Sequence, residues 1–271
     1  LESNLGKPYI FELAGVSYSY VNGEPVLRDI NLRVFKGEKL VILGANGSGK
    51  STLQKILDGL LFPSQGTVKA FGQVLSEKTL EDEEFSYGFR RRVGFIFQNS
   101  EAQLFNTSVW DEIAFGPLQL GLPPEEVRTR VQSVTEMLGL THLKDRPPYK
   151  LSGGEKKKVA IASILSVNPE VLILDEPTSG LDPRTQRWLV NLLVELNRVG
   201  KTIITATHDL DIVSEIGDRV LVFSEDHRIV AEGTPLEVLK NKQLLLDVNL
   251  VDEFYHEHAH EQHSHFHLHA H

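Results

Sequence analysis

Three short apolar runs stand out along the chain: Leu40 to Leu43, Val171 to Leu174, and the TIITAT run ending at Thr207. Each is continuous rather than alternating, which suits a strand of a parallel sheet buried on both faces. Elsewhere the apolar spacing changes to three and four residues, the period of an amphipathic helix. Leu53, Ile56, Leu57 and Leu60 predict one helix. Val127, Val131, Val134 and Leu138 predict a second, opened by Pro123 and Pro124 and stopped by Gly139. Val159, Ile161, Ala162 and Leu165 predict a third, with Ser152, Gly153 and Gly154 at its N-terminus. The stripe of Val127, Val131, Val134 and Leu138 reads as core rather than a partner site. No internal repeat is found, and no apolar stretch reaches the ~18 residues needed to cross a bilayer.

The residues between the first strand and the first helix carry chemistry. Gly44-Ala45-Asn46-Gly47-Ser48-Gly49-Lys50-Ser51 is a full match to G-x-x-x-x-G-K-[ST], placed after a strand and before a helix as a phosphate loop requires. Glycines let backbone N–H groups turn inward around phosphate oxygens, and the helix N-terminus adds a partial positive charge. Lys50 is placed to reach the terminal phosphates of a nucleotide and Ser51 to offer a hydroxyl to Mg²⁺, with Thr52 following. The second strand ends in Asp175-Glu176. Paired acids after a strand also serve as capping residues. The phosphate loop upstream favours the functional reading, in which Asp175 holds Mg²⁺ and Glu176 polarises an attacking water. His208 follows the third strand and can donate a hydrogen bond to a phosphate.

Composition narrows the class. The 271 residues are 41% hydrophobic and 24% charged, enough for one large domain or two lobes with a real core. A net charge of −9 argues against a nucleic-acid partner. There are no cysteines, hence no disulfide framework, and the N-terminal residues do not read as a signal peptide. Lys156 to Lys158 read as a solvated basic face. No N-K-x-D base-reading motif is present, which disfavours a P-loop GTPase.

The stretches LSGGE (151–155), VLILDEPTSGLD (171–182) and ATHD (206–209), in this order behind the phosphate loop, resemble the ATP-binding subunit of ABC transporters over about residues 10–235. The resemblance implies ATP and Mg²⁺ as cofactors and a set of site residues. Tyr20 would stack on adenine, with Tyr18 the weaker candidate. Gly44, Asn46, Gly47, Ser48, Gly49, Lys50, Ser51 and Thr52 would cradle the phosphates. Gln98 would be the glutamine that touches Mg²⁺ and water and senses the membrane partner. Ser152, Gly153 and Gly154 would be the signature motif, Asp182 the acid at the dimer interface, and His208 the switch residue at the γ-phosphate. Position 155 departs from many members of the family, which carry Gln there, and an acid suits the helix dipole. One phosphate loop and one signature per chain imply a second nucleotide-binding subunit, most simply a homodimer, with ATP sandwiched between the two.

FQNSEAQLFNTSVWDEIAFGP (97–117) together with LSGGEKKKVAIAS resembles the ATPases of energy-coupling-factor importers, closest to the CbiO type of cobalt and nickel uptake. That resemblance implies a peripheral subunit on the cytoplasmic face of the cell membrane. It would work with a transmembrane coupling protein and substrate-binding membrane subunits. The expected fold is α/β of the P-loop NTPase type: a RecA-like core with a parallel sheet and an N-terminal antiparallel β part (1–98 and 166–235), an inserted helical lobe (99–165), a C-terminal extension (236–255) and a histidine-rich tail (256–271). In the tail, His256, His258, His260, His263, His265, His267, His269 and His271 read as nickel or cobalt ligands, since neutral imidazole suits such ions. Two alternatives stay open: the ATPase of a vitamin importer or an exporter carrying an artificial tail, and a non-transport ABC ATPase.

Overall fold

A computed structural model describes residues 8–21 and 23–251, so the histidine-rich tail lies outside the described residues. Two sheets organise the chain. The first is antiparallel and four-stranded: β1 (Tyr9–Ser19), β2 (Pro25–Phe35), β4 (Gln65–Ala70) and β5 (Gln73–Val74), in the order β2-β1-β4-β5. The second has six strands: β3 (Lys39–Leu43), β6 (Val93–Ile96), β7 (Val171–Asp175), β8 (Thr202–Thr207), β9 (Arg219–Phe223) and β10 (Ile229–Gly233). Their order is β10-β9-β3-β8-β7-β6, parallel throughout except for the antiparallel edge pair β9–β10.

The three runs expected as buried strands are therefore β3, β7 and β8. All of Val171 to Asp175 and all of Thr202 to Thr207 are buried, as a sheet covered on both faces demands. Because successive strand residues point to opposite faces, each strand feeds two cores. Leu40 and Ile42 join Leu53, Ile56 and Leu57 and the inward residues Phe11, Leu13 and Val16 of β1. Val41 and Leu43 join the other core, with Ile113, Val131, Val159, Leu189 and Val213.

The helices are α1 (Lys50–Leu57), α2 (Glu77–Leu80), α3 (Glu83–Arg92), α4 (Val109–Gln119), α5 (Pro124–Met137), α6 (Gly153–Leu165), α7 (Pro183–Arg198), α8 (Leu210–Ile216), α9 (Pro235–Lys240) and α10 (Lys242–Asp247). The second and third predicted helices are α5 and α6. Gly139 ends the α5 segment with φ 69°, a left-handed turn that glycine adopts without strain. The first predicted helix is shorter than its stripe. It stops at Leu57, and Leu60 is exposed beyond the left-handed Gly59. Helices α2 and α3 were not legible in the pattern, because α2 buries no residue and α3 buries only Phe89. Between β6 and β7 the chain is helical, with α4, α5 and α6 sharing one hydrophobic cluster. No helix among the described residues is long and apolar enough to cross a membrane.

The basic run 156–158 is not a solvated face. Lys157 is buried at 3% exposure, Lys156 ion-pairs with Glu101, and the Lys158 ammonium lies 4.7 Å from the centre of the Trp188 ring. Consecutive residues on a helix diverge by about 100°, so the three cations point to three different neighbours.

Candidate nucleotide site

The parallel sheet assembles the site at one edge. Neighbouring strands β3, β8, β7 and β6 end, respectively, in the glycine loop, His208, Asp175-Glu176 and Phe97-Gln98. Ligands of open α/β sheets bind at this carboxyl edge. Tyr20 joins from the end of β1, in the other sheet.

The loop from Gly44 to Gly49 needs its glycines. Gly49 has φ 110°, and a Cβ there would stand 2.5 Å from the Val26 carbonyl oxygen. At Gly44 a Cβ would meet Ser48 Oγ at 2.7 Å. Gly49 is also the N-cap of α1, and no side chain caps this helix. The first N–H groups of α1 are thus left to an outside acceptor, and the helix dipole selects an anion. Lys50 lies buried behind them. Its ammonium donates to the carbonyls of Gly44 (2.8 Å) and Ala45 (3.0 Å) and stands 3.5 Å from Glu176 Oε1. Burial pulls its pKa below the usual lysine range, against the attraction of Glu176 and Asp175.

Opposite the loop, Ser51 donates to Asp175 Oδ1 at 3.0 Å. The Asp175 carboxyl is buried at the strand end, and burial raises its pKa above the usual carboxylate range. Gln54, fully buried on α1, donates to the Leu174 carbonyl at 2.8 Å and so fixes α1 against β7. Glu176 has φ 41°, a left-handed conformation uncommon for a side-chain-bearing residue. The turn swings its carboxylate away from that of Asp175 toward the loop. Thr207 Oγ1 donates to its Oε2 at 3.3 Å, and His208 Nδ1 lies 2.9 Å from its Oε1. Such strain at a site is maintained by its surroundings, here Lys50, Thr207, His208 and a backbone bond from the Glu176 N–H to Ala206.

These elements enclose a cavity of about 350 Å³ lined by Tyr20, Asn46, Lys50, Ser51, Gln98 and Glu176, with Val26, Gly47, Gly49 and Thr52 completing the wall. Tyr20 is 45% exposed, its ring meets that of Tyr18 at 90° with centroids 5.1 Å apart, and its hydroxyl lies 3.3 Å from Thr52 Oγ1. A partly exposed aromatic in the cavity wall can stack on a base.

Not every expected residue is brought here. Ser152, Gly153 and Asp182 are exposed, Gly154 is half-buried, and none of the four lines the cavity. Ser152 caps α6 in a reciprocal box with Glu155, whose carboxylate accepts from Ser152 N–H and Oγ, both at 2.8 Å. The Ser152 backbone bond, with its hydroxyl, holds the Glu155 carboxyl below the usual range. Asp182 caps α7, accepting from the N–H groups of Arg184 (3.0 Å) and Thr185 (3.1 Å). The expected histidine ligands 256–271 lie outside the described residues, and no cluster of metal-ligating side chains occurs among those described. Sequence reading passed over Gln54, Thr207 and Lys157. Lys157 donates to the carbonyls of Phe97 (3.2 Å) and Gln98 (3.1 Å) and is pushed down to about pKa 8 by burial. Only a lysine interrupting the buried face of α6 could have signalled it.

A glycine loop, an uncapped helix, a buried lysine and an acid pair on a parallel sheet define a P-loop nucleotide-binding ATPase. Comparison with known proteins carries this further. The profile of the family described as ABC transporter matches residues 27–179. A putative ABC transporter ATP-binding protein of Methanosarcina acetivorans is 56% identical, over 92% of this chain and 92% of its own length. The nickel import ATP-binding protein NikO of Rhodobacter capsulatus is 49% identical (90% and 96%), and the energy-coupling factor transporter ATP-binding protein EcfA of Methanothermobacter thermautotrophicus 44% (89% and 76%). Among solved structures, cbiO1 of Clostridium perfringens, described as part of the ABC transporter complex cbiONQ, superposes with a TM-score of 0.76 at 41% identity, covering 89% of this chain and 95% of its own. A dimeric ATP-binding cassette in a post-hydrolysis state with ADP and Pi matches at TM-score 0.75 and 29% identity (83% and 99%). The chain belongs to the ATP-binding proteins of the ABC transporter family. It is an ATP-binding, ATP-hydrolysing cassette of α/β fold.

Proposed function

We propose that the chain is the ATPase of an energy-coupling-factor importer for a transition-metal ion, cobalt or nickel, working as a homodimer with two shared ATP sites. One observation carries the shared-site reading. The cavity gathers base, phosphate and hydrolysis residues, while Ser152, Gly153, Gly154 and Asp182 sit on open surface outside it. A second copy facing the cavity would complete it with its own Ser152-Gly153-Gly154, and Asp182 would lie at that interface.

In this reading Tyr20 stacks on adenine, and the backbone of Asn46, Gly47, Ser48 and Gly49, with Thr52, holds the phosphates. Ser51, Asp175 and Gln98 offer hydroxyl, carboxylate and amide oxygens, the hard donor set that Mg²⁺ takes. The close Ser51–Asp175 pair, whose carboxylate forms no close ion pair among the described residues, fits such an ion. When bound, Mg²⁺ neutralises phosphate charge. Glu176 takes a proton from the water that attacks the γ-phosphorus as the bond to the bridging oxygen breaks. His208 donates its ring N–H to a γ-phosphate oxygen. Lys50 neutralises charge across the terminal phosphates.

Residues 99–165 form the lobe that meets the membrane partner, between a core of 1–98 and 166–235 and an extension 236–255. On this segment Phe105 and Phe115 pack edge-to-face at 4.9 Å yet stay 66% and 38% exposed. An exposed aromatic pair of this kind marks an interaction surface and suits a helix of a transmembrane coupling protein on the cytoplasmic face. The metal substrate is supported by the relatives named for nickel import and for the cbiONQ complex, and by the eight histidines of 256–271. To test it, the subunit is co-expressed with its membrane partners and reconstituted in sealed vesicles. ATP-dependent accumulation of radioactive Co²⁺ or Ni²⁺ is expected, and its loss with Glu176→Gln. A reconstituted complex that hydrolyses ATP but moves neither ion refutes the metal reading.

A further inference from the structure

Lys157 stands out among the charged groups that the site has not absorbed. It sits on α6, one turn past the exposed Ser152-Gly153-Gly154 segment, and points inward. Lysines are almost never fully buried unless paired, yet no carboxylate lies within ion-pairing distance of this ammonium among the described residues. Its acceptors are two consecutive main-chain carbonyls, Phe97 at 3.2 Å and Gln98 at 3.1 Å. Both belong to the turn that leaves β6 and carries the Gln98 side chain into the ATP cavity. The rest of that turn is braced as well. Gln103 accepts from Phe97 N–H at 3.3 Å, and buried Glu112 on α4 accepts from the N–H groups of Phe105 (2.9 Å) and Asn106 (2.7 Å). Gln98 itself is exposed, and among the described residues no side-chain bond fixes it. Its position is thus set through its backbone, and the Lys157 ammonium is the charged group that binds that backbone to α6.

We propose that Lys157 is a positioning residue that locks the Gln98 turn to the helix carrying Ser152-Gly153-Gly154, so that a shift of this helix against an opposing subunit's nucleotide and the placement of the Gln98 amide are one event. The inference rests on the proposed roles of Gln98 and of the exposed signature segment. Burial makes the link stiff. A buried ammonium that let go of both carbonyls would be left without partners, a costly state. Helix and turn are therefore expected to move together.

The experiment is a double-mutant cycle on the full chain. Steady-state ATPase gives kcat and KM, a fluorescent ATP analogue gives nucleotide affinity, and thermal melting reports folding. Lys157→Met keeps the stem and removes the donors, Lys157→Gln keeps a shorter donor, and Lys157→Arg keeps the charge. Lys157→Met is expected to bind the analogue within about threefold of the parent and to lose about ten- to hundredfold in kcat, the scale of a misplaced reacting group. Lys157→Arg is expected to recover most of kcat. If Lys157→Met does not fold, Lys157→Gln carries the same expectation at partial loss. Because Lys157 acts through Gln98, Gln98→Ala/Lys157→Met is expected to be no slower than Gln98→Ala alone. Losses that multiply, or an unchanged kcat in Lys157→Met and Lys157→Gln beside an impaired Gln98→Ala, overturn this proposal and leave the site reading intact. An unimpaired Gln98→Ala instead overturns the role of Gln98 on which it stands.

Discussion

Glu176→Gln is expected to separate ATP binding from ATP hydrolysis. The carboxylate is buried and shares Oε1 between His208 Nδ1 (2.9 Å) and the Lys50 ammonium (3.5 Å), while Oε2 accepts from Thr207 (3.3 Å). An amide of the same shape still fills this place and still offers Thr207 an oxygen. Lys50 keeps its carbonyl acceptors on Gly44 and Ala45, so no buried charge is stranded and the fold is expected to hold. The substitution removes the proton acceptor. A positioned base is worth ~10²–10⁴ in rate, which is about 2.7–5.4 kcal/mol at ~1.36 kcal/mol per factor of ten. Binding responds in the other direction. Without a competing negative charge beside it, Lys50 faces the phosphates alone, and affinity is expected to stay level or rise severalfold. Phosphate release gives kcat, titration with a fluorescent ATP analogue gives Kd, and gel filtration in Mg-ATP gives the oligomeric state. The expected result is slow turnover, intact binding and an accumulating ATP-bound dimer. Turnover within a few-fold of the parent refutes the base assignment, and a protein that stays monomeric in Mg-ATP refutes the shared site.

Lys50→Ala is expected to abolish tight ATP binding, since it removes the cation behind the loop and leaves Glu176 buried with one fewer partner; unchanged affinity by titration contradicts the phosphate-loop role. Tyr20→Ala is expected to weaken ATP by the ~1–3 kcal/mol of a base stack, and Tyr20→Phe to lose only the long hydroxyl contact to Thr52; equal losses in the two variants contradict stacking. Asp58, capping the C-terminal end of α1, is raised to about pKa 7 by burial, with Arg90 opposing. A raised acid binds its proton in the folded state between its unfolded value and about 7, so stability falls as pH rises through that window. Asp58→Asn is therefore expected to raise Tm at pH 8 and to lose the gain as pH approaches 4; a pH-independent difference in melting contradicts this. Deleting 256–271 is expected to spare ATPase activity and to remove most Ni²⁺ or Co²⁺ bound by the subunit, binding that fades below about pH 6.5 as imidazole protonates; calorimetry on both forms at two pH values checks it.

The sequence was most informative where chemistry restricts the residue type. The glycines of 44–49 allow a backbone that a Cβ would block, and Lys50, Asp175 and Glu176 follow buried strands that period alone reveals. Continuous apolar runs located β3, β7 and β8 for the same reason. Helices α2 and α3 escaped because Phe89 is their one buried residue, which leaves no stripe to read. Leu60 misled because its spacing fits α1, but a left-handed Gly59 ends the turn before it. Lys157 was hidden by its neighbours. Three consecutive lysines look like solvent-facing charge, and only the rotation of α6 decides which one is buried.

The helix N-termini explain why one chain holds only half of a hydrolysis site in the shared-site reading. Helix α1 begins at Gly49 with no side-chain cap, so its donors are free for phosphate within a single copy. Helix α6 begins behind Ser152, whose own N–H and hydroxyl are already taken up by Glu155. Hydrogen bonds from a backbone N–H and a hydroxyl to a carboxylate are charge-assisted and strong. An incoming phosphate from a second copy must therefore compete with that carboxylate for Ser152. In that reading the phosphate loop is ready within one copy, whereas the Ser152 hydroxyl turns to an incoming phosphate only once Glu155 yields. On the shared-site reading, nucleotide capture precedes closure of the pair, and breaking the Ser152–Glu155 bonds is part of the cost of the second step.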